Sequence, residues 1–161
     1  VELVDQAENV VMTRTFSKIY GLGGLRLGWM YGPAGIVDVM SRLRQPFNVN
    51  LAAQIAGIAA MQDIAHTDAS RTNNDIWLPW LSTELAKLGL KPLSSVGNFL
   101  TVGFGSKERA AAANDWMMND GLIPRMIAGY GLPEHLRITI GTEIEVKAVA
   151  ASLAKFVATG K

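Results

Sequence analysis

The sequence predicts a mixed architecture, α/β at its start and α+β from about residue 80 onward, on three observations. Residues 10–32 place two short strand-like runs on either side of a glycine-rich stretch. Residues 34–88 carry apolar side chains at helical spacing, interrupted by Pro46 and by a polar segment. After Gly89, short strand-like runs are interleaved with an Ala-rich helix and a closing amphipathic helix, the texture of a mostly antiparallel α+β domain.

Each element has a local reason. Val10–Met12 and Thr13–Phe16 read as a strand, β-branched at its start. "GLGG", residues 21–24, reads as a loop, and "LRLGWMYG", residues 25–32, as a second strand closed by Gly32 and Pro33. From Ala34 to Arg44, Ile36, Val37, Met40 and Leu43 follow the helical period, and Pro46 breaks it. Asn50 is placed to cap a helix running to Met61, with Leu51, Ile55, Ile58 and Ala59 on one face. Residues 65–75, "AHTDASRTNND", suit either an exposed stretch of a long helix or a loop. Ile76–Leu88 is helical again, with Leu81, Leu85 and Leu88 on a shared face, a kink or fresh start expected at Pro79, and a stop at Gly89. "LKPLSS", "NFLTVGF", "LIPRM" and "LRITIG" read as short strands. Ser106–Asn119 reads as a helix ended by Gly121. Thr142 and Glu145 have capping-box spacing ahead of a helix whose buried stripe is Val146, Val149, Leu153 and Phe156.

Composition narrows the function classes. The chain has 161 residues, 49% of them hydrophobic and 18% charged, with a formal net charge of +1. That supplies ample core for one domain or parts of two, and no basic field for nucleic acid. There is no cysteine, which removes disulfide and thiolate chemistry and fits a reducing compartment. His66 and His135 are the only histidines, too few for a His-rich metal site or a serine–histidine–aspartate triad, and no metal site is expected. No apolar run approaches the roughly 18–20 residues that span a bilayer. The opening "VELVDQAENV" has acidic residues and no basic region like that of a secretory signal; without a starting Met, it reads as a fragment of a larger protein.

The chemistry concentrates in "TFSKIYGLGGLRLGW", residues 15–29. A lysine beside glycines is often only a solvated charge on a turn. Phosphate-loop spacing fails, because Lys18 precedes the glycines. The dinucleotide fingerprint fails too, because Arg26 stands where its third glycine belongs. A Schiff-base lysine fits better. An amine can attack an aldehyde, and an aldehyde with a phosphate tail calls for hydroxyls, backbone N–H groups and a cation. Thr15 and Ser17 supply hydroxyls two residues apart, Arg26 supplies a two-pronged donor, and the glycines let backbone pass close by.

This segment closely resembles the lysine segment of fold-type-I aminotransferases, and within them the histidinol-phosphate aminotransferase group, with Gly23 where the group usually has alanine. The resemblance extends through "PFNVNLAAQIAG" (46–57), "VGNFLTVGF" (96–104), "GLIPRMIAGYGLPEHLRITIGT" (121–142) and the final helix. It implies the tail of a large α/β/α cofactor-binding domain in residues 1–45, an interdomain helical region in 46–79 and a small C-terminal α+β domain in 80–161. It implies pyridoxal 5'-phosphate as cofactor, Lys18 as the catalytic residue that carries it and then serves as the proton-transferring base, and Thr15, Ser17 and Arg26 as phosphate-binding residues. It further implies Arg137 as the ligand of the α-carboxylate of glutamate and 2-oxoglutarate, and Arg125 as a ligand of a distal phosphate or carboxylate. Asn98 suits either a substrate neighbour or a strand-start turn. Tyr20 and Trp29 are expected in core or wall packing, Trp77, Trp80 and Trp116 in core or interface, and Asp63, Asp68 and Asp75 in solvent.

The implied activity is transamination between a small-molecule amino donor and a 2-oxo acid, most specifically histidinol phosphate with 2-oxoglutarate, by a cytoplasmic homodimer that engages neither nucleic acid nor membrane. Within the same fold the alternatives are an aromatic-amino-acid aminotransferase or a threonine-phosphate decarboxylase. From another class, the alternative is the aminotransferase-like ligand-sensing domain of a transcription regulator. The aspartate that pairs with the pyridine nitrogen and the aromatic that stacks on the ring are expected upstream of Val1, so the 161 residues alone are expected to be inactive.

Overall fold

A computed structural model describes residues 1–160 and divides into two compact units, Val1–Ser70 and Arg71–Lys161. In the first, a short helix α1 (Glu2–Asp5) precedes strands β1 (Met12–Thr15) and β2 (Gly28–Tyr31). The strands pair antiparallel, with Met12 opposite Tyr31 and Thr15 opposite Gly28. Both are shorter than their sequence suggests. Arg26 sits in the left-handed region, at φ 55°, so an extended run cannot continue through it. Leu25 instead closes a one-turn 3-10 helix, Gly23–Leu25.

Helices α2 (Ala34–Leu43) and α3 (Leu51–Gln62) follow. Asn50 caps α3 as expected, its side chain accepting from the Ala53 N–H at 2.8 Å. The face α3 buries is the opposite of the expected one. Ala53 and Gly57 are buried, while Leu51, Ile55 and Ile58 are 70%, 61% and 61% exposed. A Cβ at Gly57 would come within 2.5 Å of Leu27 Cδ2 and 3.7 Å of Phe16, so the small face of α3 is what admits the lysine loop. Met40 and Leu43 of α2 are likewise exposed, as is Phe47.

Helix α4 (Ile64–Lys87) takes up the polar 65–75 segment and runs on with Pro79 inside it, rather than starting afresh there. Asp63, expected merely in solvent, caps its first turn by accepting from the His66 N–H at 2.9 Å.

The second unit holds a four-stranded antiparallel sheet in the order β3 (Lys91–Pro92), β4 (Phe99–Gly103), β6 (His135–Thr139), β5 (Arg125–Met126). Helices α5 (Lys107–Asn119) and α6 (Glu143–Ala158) cover one of its faces together with the later turns of α4. Leu81, Leu85, Leu100, Leu136, Leu153 and Phe156 are essentially removed from solvent there, each side chain contributing about 1.5–3 kcal/mol of transfer free energy. Thr142 and Glu145 form the expected capping box, the Thr142 N–H donating to Glu145 Oε2 at 2.7 Å. Strand alternation leaves Phe99, Thr101, Arg137 and Thr139 on the other face of the sheet.

Candidate active site

The lysine loop is organised around Phe16. Its ring is buried and packs 4.8 Å from Tyr20. Its N–H donates to the Leu27 carbonyl at 3.0 Å, and its carbonyl accepts from Leu22 at 2.9 Å. With residue 16 pinned inward, its neighbours turn outward. The Thr15 hydroxyl donates to Ser17 Oγ at 2.8 Å, and the Ser17 N–H donates to Thr15 Oγ1 at 3.0 Å. These two bonds use the Thr15 proton and the Ser17 amide, and leave the Ser17 hydroxyl proton available to a ligand. The two hydroxyls therefore converge as expected, although through a turn and not along an extended strand, since β1 ends at Thr15.

Lys18 opens the next turn, its carbonyl accepting from the Gly21 N–H at 2.8 Å. Gly21 has φ +68°, which a residue with a Cβ reaches only with strain. The Lys18 side chain is exposed. Arg26, also exposed, donates one guanidinium N–H to the Gly23 carbonyl at 2.6 Å, which folds the side chain back over the glycine turn. Thr15, Ser17, Lys18 and Arg26 thus share one loop closed by the β1–β2 ribbon. Trp29, expected to be packed, is 46% exposed.

The second unit brings Arg125 and Arg137 into direct cross-strand register on β5 and β6. Side chains paired this way share a face with their Cβ atoms roughly 4.5–5.5 Å apart, and like charges so placed repel. The pair is held by aromatic rings. The Arg137 guanidinium lies 5.1 Å from the centre of the Phe99 ring. Arg125 lies 5.9 Å from that of Tyr130 and donates to its hydroxyl at 3.4 Å. Arg137 Nε is buried and has no hydrogen-bond partner. Neither arginine, nor Lys18 or Arg26, forms an ion pair among the described residues. Two adjacent cations without a carboxylate partner among the described residues have the charge and geometry to suit an external anion, the guanidinium fork matching carboxylate or phosphate.

Phe99 and Tyr130 escaped the sequence reading as arginine partners. The signal for Phe99 was its place in "VGNFL", and for Tyr130 its place five residues after Arg125. Asn98 lies exposed in the bend ahead of β4, where its backbone carbonyl accepts from Ile140 N–H at 2.8 Å.

Known proteins resemble this chain over nearly its whole length. The model of the family described as aminotransferase class I and II matches residues 1–153. A histidinol-phosphate aminotransferase of Granulibacter bethesdensis is 52% identical over 158 residues, 98% of this chain and 43% of that protein. One of Paramagnetospirillum magneticum is 49% identical over 159 residues, 98% of this chain and 44% of that protein. Among solved structures, histidinol-phosphate aminotransferase from Sinorhizobium meliloti in complex with pyridoxal-5'-phosphate has a TM-score of 0.84 at 30% identity, over 96% of this chain and 42% of that one. A putative aminotransferase from Burkholderia pseudomallei has a TM-score of 0.88 at 29% identity, over 93% and 46%. The chain therefore spans less than half the length of the curated relatives it matches.

Proposed function

From the premise that this chain belongs to the aminotransferase class I and II family, we propose that it is the C-terminal portion of a pyridoxal 5'-phosphate-dependent aminotransferase. The reaction we assign exchanges an amino group between histidinol phosphate and 2-oxoglutarate, in histidine biosynthesis. Relatives at about half identity that carry that name support the assignment. In this reading residues 1–45 belong to the large domain, 46–79 to an interdomain helical region and 80–161 to the small domain. The enzyme acts on small molecules as a cytoplasmic homodimer. Among the described residues no helix is long and apolar enough to cross a membrane.

The observation that carries the reading is the donor set of the lysine loop: an amine without a carboxylate partner, two mutually bonded hydroxyls and a guanidinium folded over a glycine turn. That set fits the cofactor's chemistry, since it offers an amine for an aldehyde and, for a phosphate, the free Ser17 hydroxyl proton, the Arg26 guanidinium and a Thr15 hydroxyl that can turn from Ser17 to the ligand. When bound, the cofactor supplies the electron sink for a substrate carbon that loses its proton. Lys18 Nζ would hold the cofactor and, once released as a free amine, would take the proton from the substrate carbon bearing the amino group and deliver it to the carbon derived from the cofactor's aldehyde. The Ser17 and Thr15 hydroxyls and Arg26 bind the phosphate. Arg137 binds the carboxylate of the amino acceptor as a two-pronged donor, and Arg125 takes a second anionic group.

A substrate panel on the full-length enzyme tests the assignment. With 2-oxoglutarate as acceptor, kcat/KM should be highest for histidinol phosphate and lower for phenylalanine and tyrosine. The reverse order would move the chain to the aromatic aminotransferases.

A further inference from the structure

We propose that Asn74 is a positioning residue for the Arg137 anion site: its carboxamide holds Gly97, Gly97 backs the Phe99 ring, and the ring backs the guanidinium. Each link is a direct contact within the second unit. Asn74 Nδ2 donates to the Gly97 carbonyl at 3.2 Å. A Cβ at Gly97 would stand 3.3 Å from Phe99 Cε1, so the backbone there lies against the ring with no room to spare. The Phe99 ring in turn lies 5.1 Å from the Arg137 guanidinium carbon.

The segment between the links is braced by two hydrogen bonds. Ser95 Oγ donates to the Phe99 carbonyl at 2.7 Å and accepts from the Gly97 N–H at 3.2 Å. A shift of Gly97 is therefore passed to the ring rather than absorbed by a slack loop.

The choice of asparagine is informative. Asn74 Oδ1 is buried without a partner, which is unfavourable relative to a satisfied group. A leucine, which branches at the same carbon, would carry no such penalty. What leucine lacks is the N–H that fixes Gly97. The neighbouring Asn73 makes a similar bond from α4, Nδ2 to the Gly141 carbonyl at 2.9 Å, but to a loop that does not carry the ring. It is the internal control.

The inference rests on the proposed role of Arg137 in binding the acceptor's carboxylate, and the test separates the two. Asn74→Leu, Asn73→Leu, Arg137→Ala and the Asn74→Leu/Arg137→Ala double variant are compared with wild type in the full-length holoenzyme, with Asn74→Ala replacing Asn74→Leu if the latter does not fold. Asn74→Leu should raise KM for 2-oxoglutarate about five-fold, the worth of one hydrogen bond, with kcat within about two-fold of wild type. Asn73→Leu should leave KM unchanged, and Asn74→Leu should add nothing once Arg137 is gone. The inference is overturned if KM is unmoved by Asn74→Leu while Arg137→Ala raises it. It is equally overturned if Asn73→Leu has the same effect, or if the Asn74 effect survives the loss of Arg137. If Arg137→Ala leaves KM unchanged, the substrate reading is what fails. The positioning claim is then decided by the Arg137 Nε–H resonance, which Asn74→Leu should shift and Asn73→Leu should not; an unshifted resonance overturns it.

Discussion

Residues 71–161 gather Leu81, Leu100, Leu136, Leu153 and Phe156 into one continuous core, whereas in residues 1–70 the buried apolar side chains are Val4, Phe16 and Ala53. Over the same first stretch, Leu43, Phe47, Leu51, Ile55 and Ile58 face outward, each more than half exposed. Yet the proposed cofactor-holding residues lie in this poorly buried unit, and the proposed substrate-binding arginines in the well packed one. The contrast teaches that the two halves of the chemistry are held by different means. The lysine loop is held by short-range hydrogen bonds, a turn at Gly21 and one buried ring. The arginine pair is held by strand register, set by a sheet whose far face is the core.

That contrast is open to attack from both sides. Lys18→Ala in the full-length protein should cut turnover by about 10²–10⁴-fold, the range of a lost base, while thermal unfolding monitored in the second unit stays where it was. Phe156→Ala should do the opposite. It opens a cavity beneath Phe104 and Trp116 and should lower stability by about 3–5 kcal/mol in chemical denaturation, leaving cofactor binding at Lys18 intact in the folded fraction. If Phe156→Ala abolished cofactor binding in protein that is still folded, the separation of the two units would fail. Arg137→Ala should raise KM for 2-oxoglutarate by about ten-fold or more, as expected for a charge-assisted bidentate contact, and leave the cofactor's spectrum unchanged.

The smallest effect concerns the start of α6. Glu145 is held below the ordinary carboxylate range, first by the Thr142 backbone N–H and then by the Thr142 hydroxyl. A carboxylate depressed in the folded state contributes stability that is present above its unfolded pKa and is lost as pH falls through the folded one. Stability should therefore decline slightly on acidification through the carboxylate range. Glu145→Gln should remove that part of the pH dependence while keeping the helix. Thr142→Ala should cost about 1 kcal/mol at neutral pH, the usual worth of an N-cap.

What could be read from the residues was what is encoded locally. Asn50 as a cap, Thr142 with Glu145 as a capping box, and the α6 stripe through Val146, Val149, Leu153 and Phe156 all depend on spacings within a few residues, and all stand in the fold. The lysine loop was legible for the same reason, since Thr15, Ser17, Lys18 and Arg26 sit in a single short segment. The face of α3 was not. Leu51, Ile55 and Ile58 look like a core stripe, but the helix is apolar nearly all round, so periodicity could not choose between its sides. Leu27, which decides the matter by closing on Gly57, comes from a distant part of the chain. The Arg125–Arg137 register and the Phe99 ring behind Arg137 are likewise products of strand pairing, which no local window records.

Covalent capture at one amine is the most direct test of the role of Lys18. Full-length protein incubated with pyridoxal 5'-phosphate, reduced with borohydride and digested should yield the modified lysine on the peptide containing Lys18, with a visible absorbance band before reduction that Lys18→Ala abolishes. A protein that stays colourless and gives no adduct on that peptide, or an adduct only on another lysine, would contradict it.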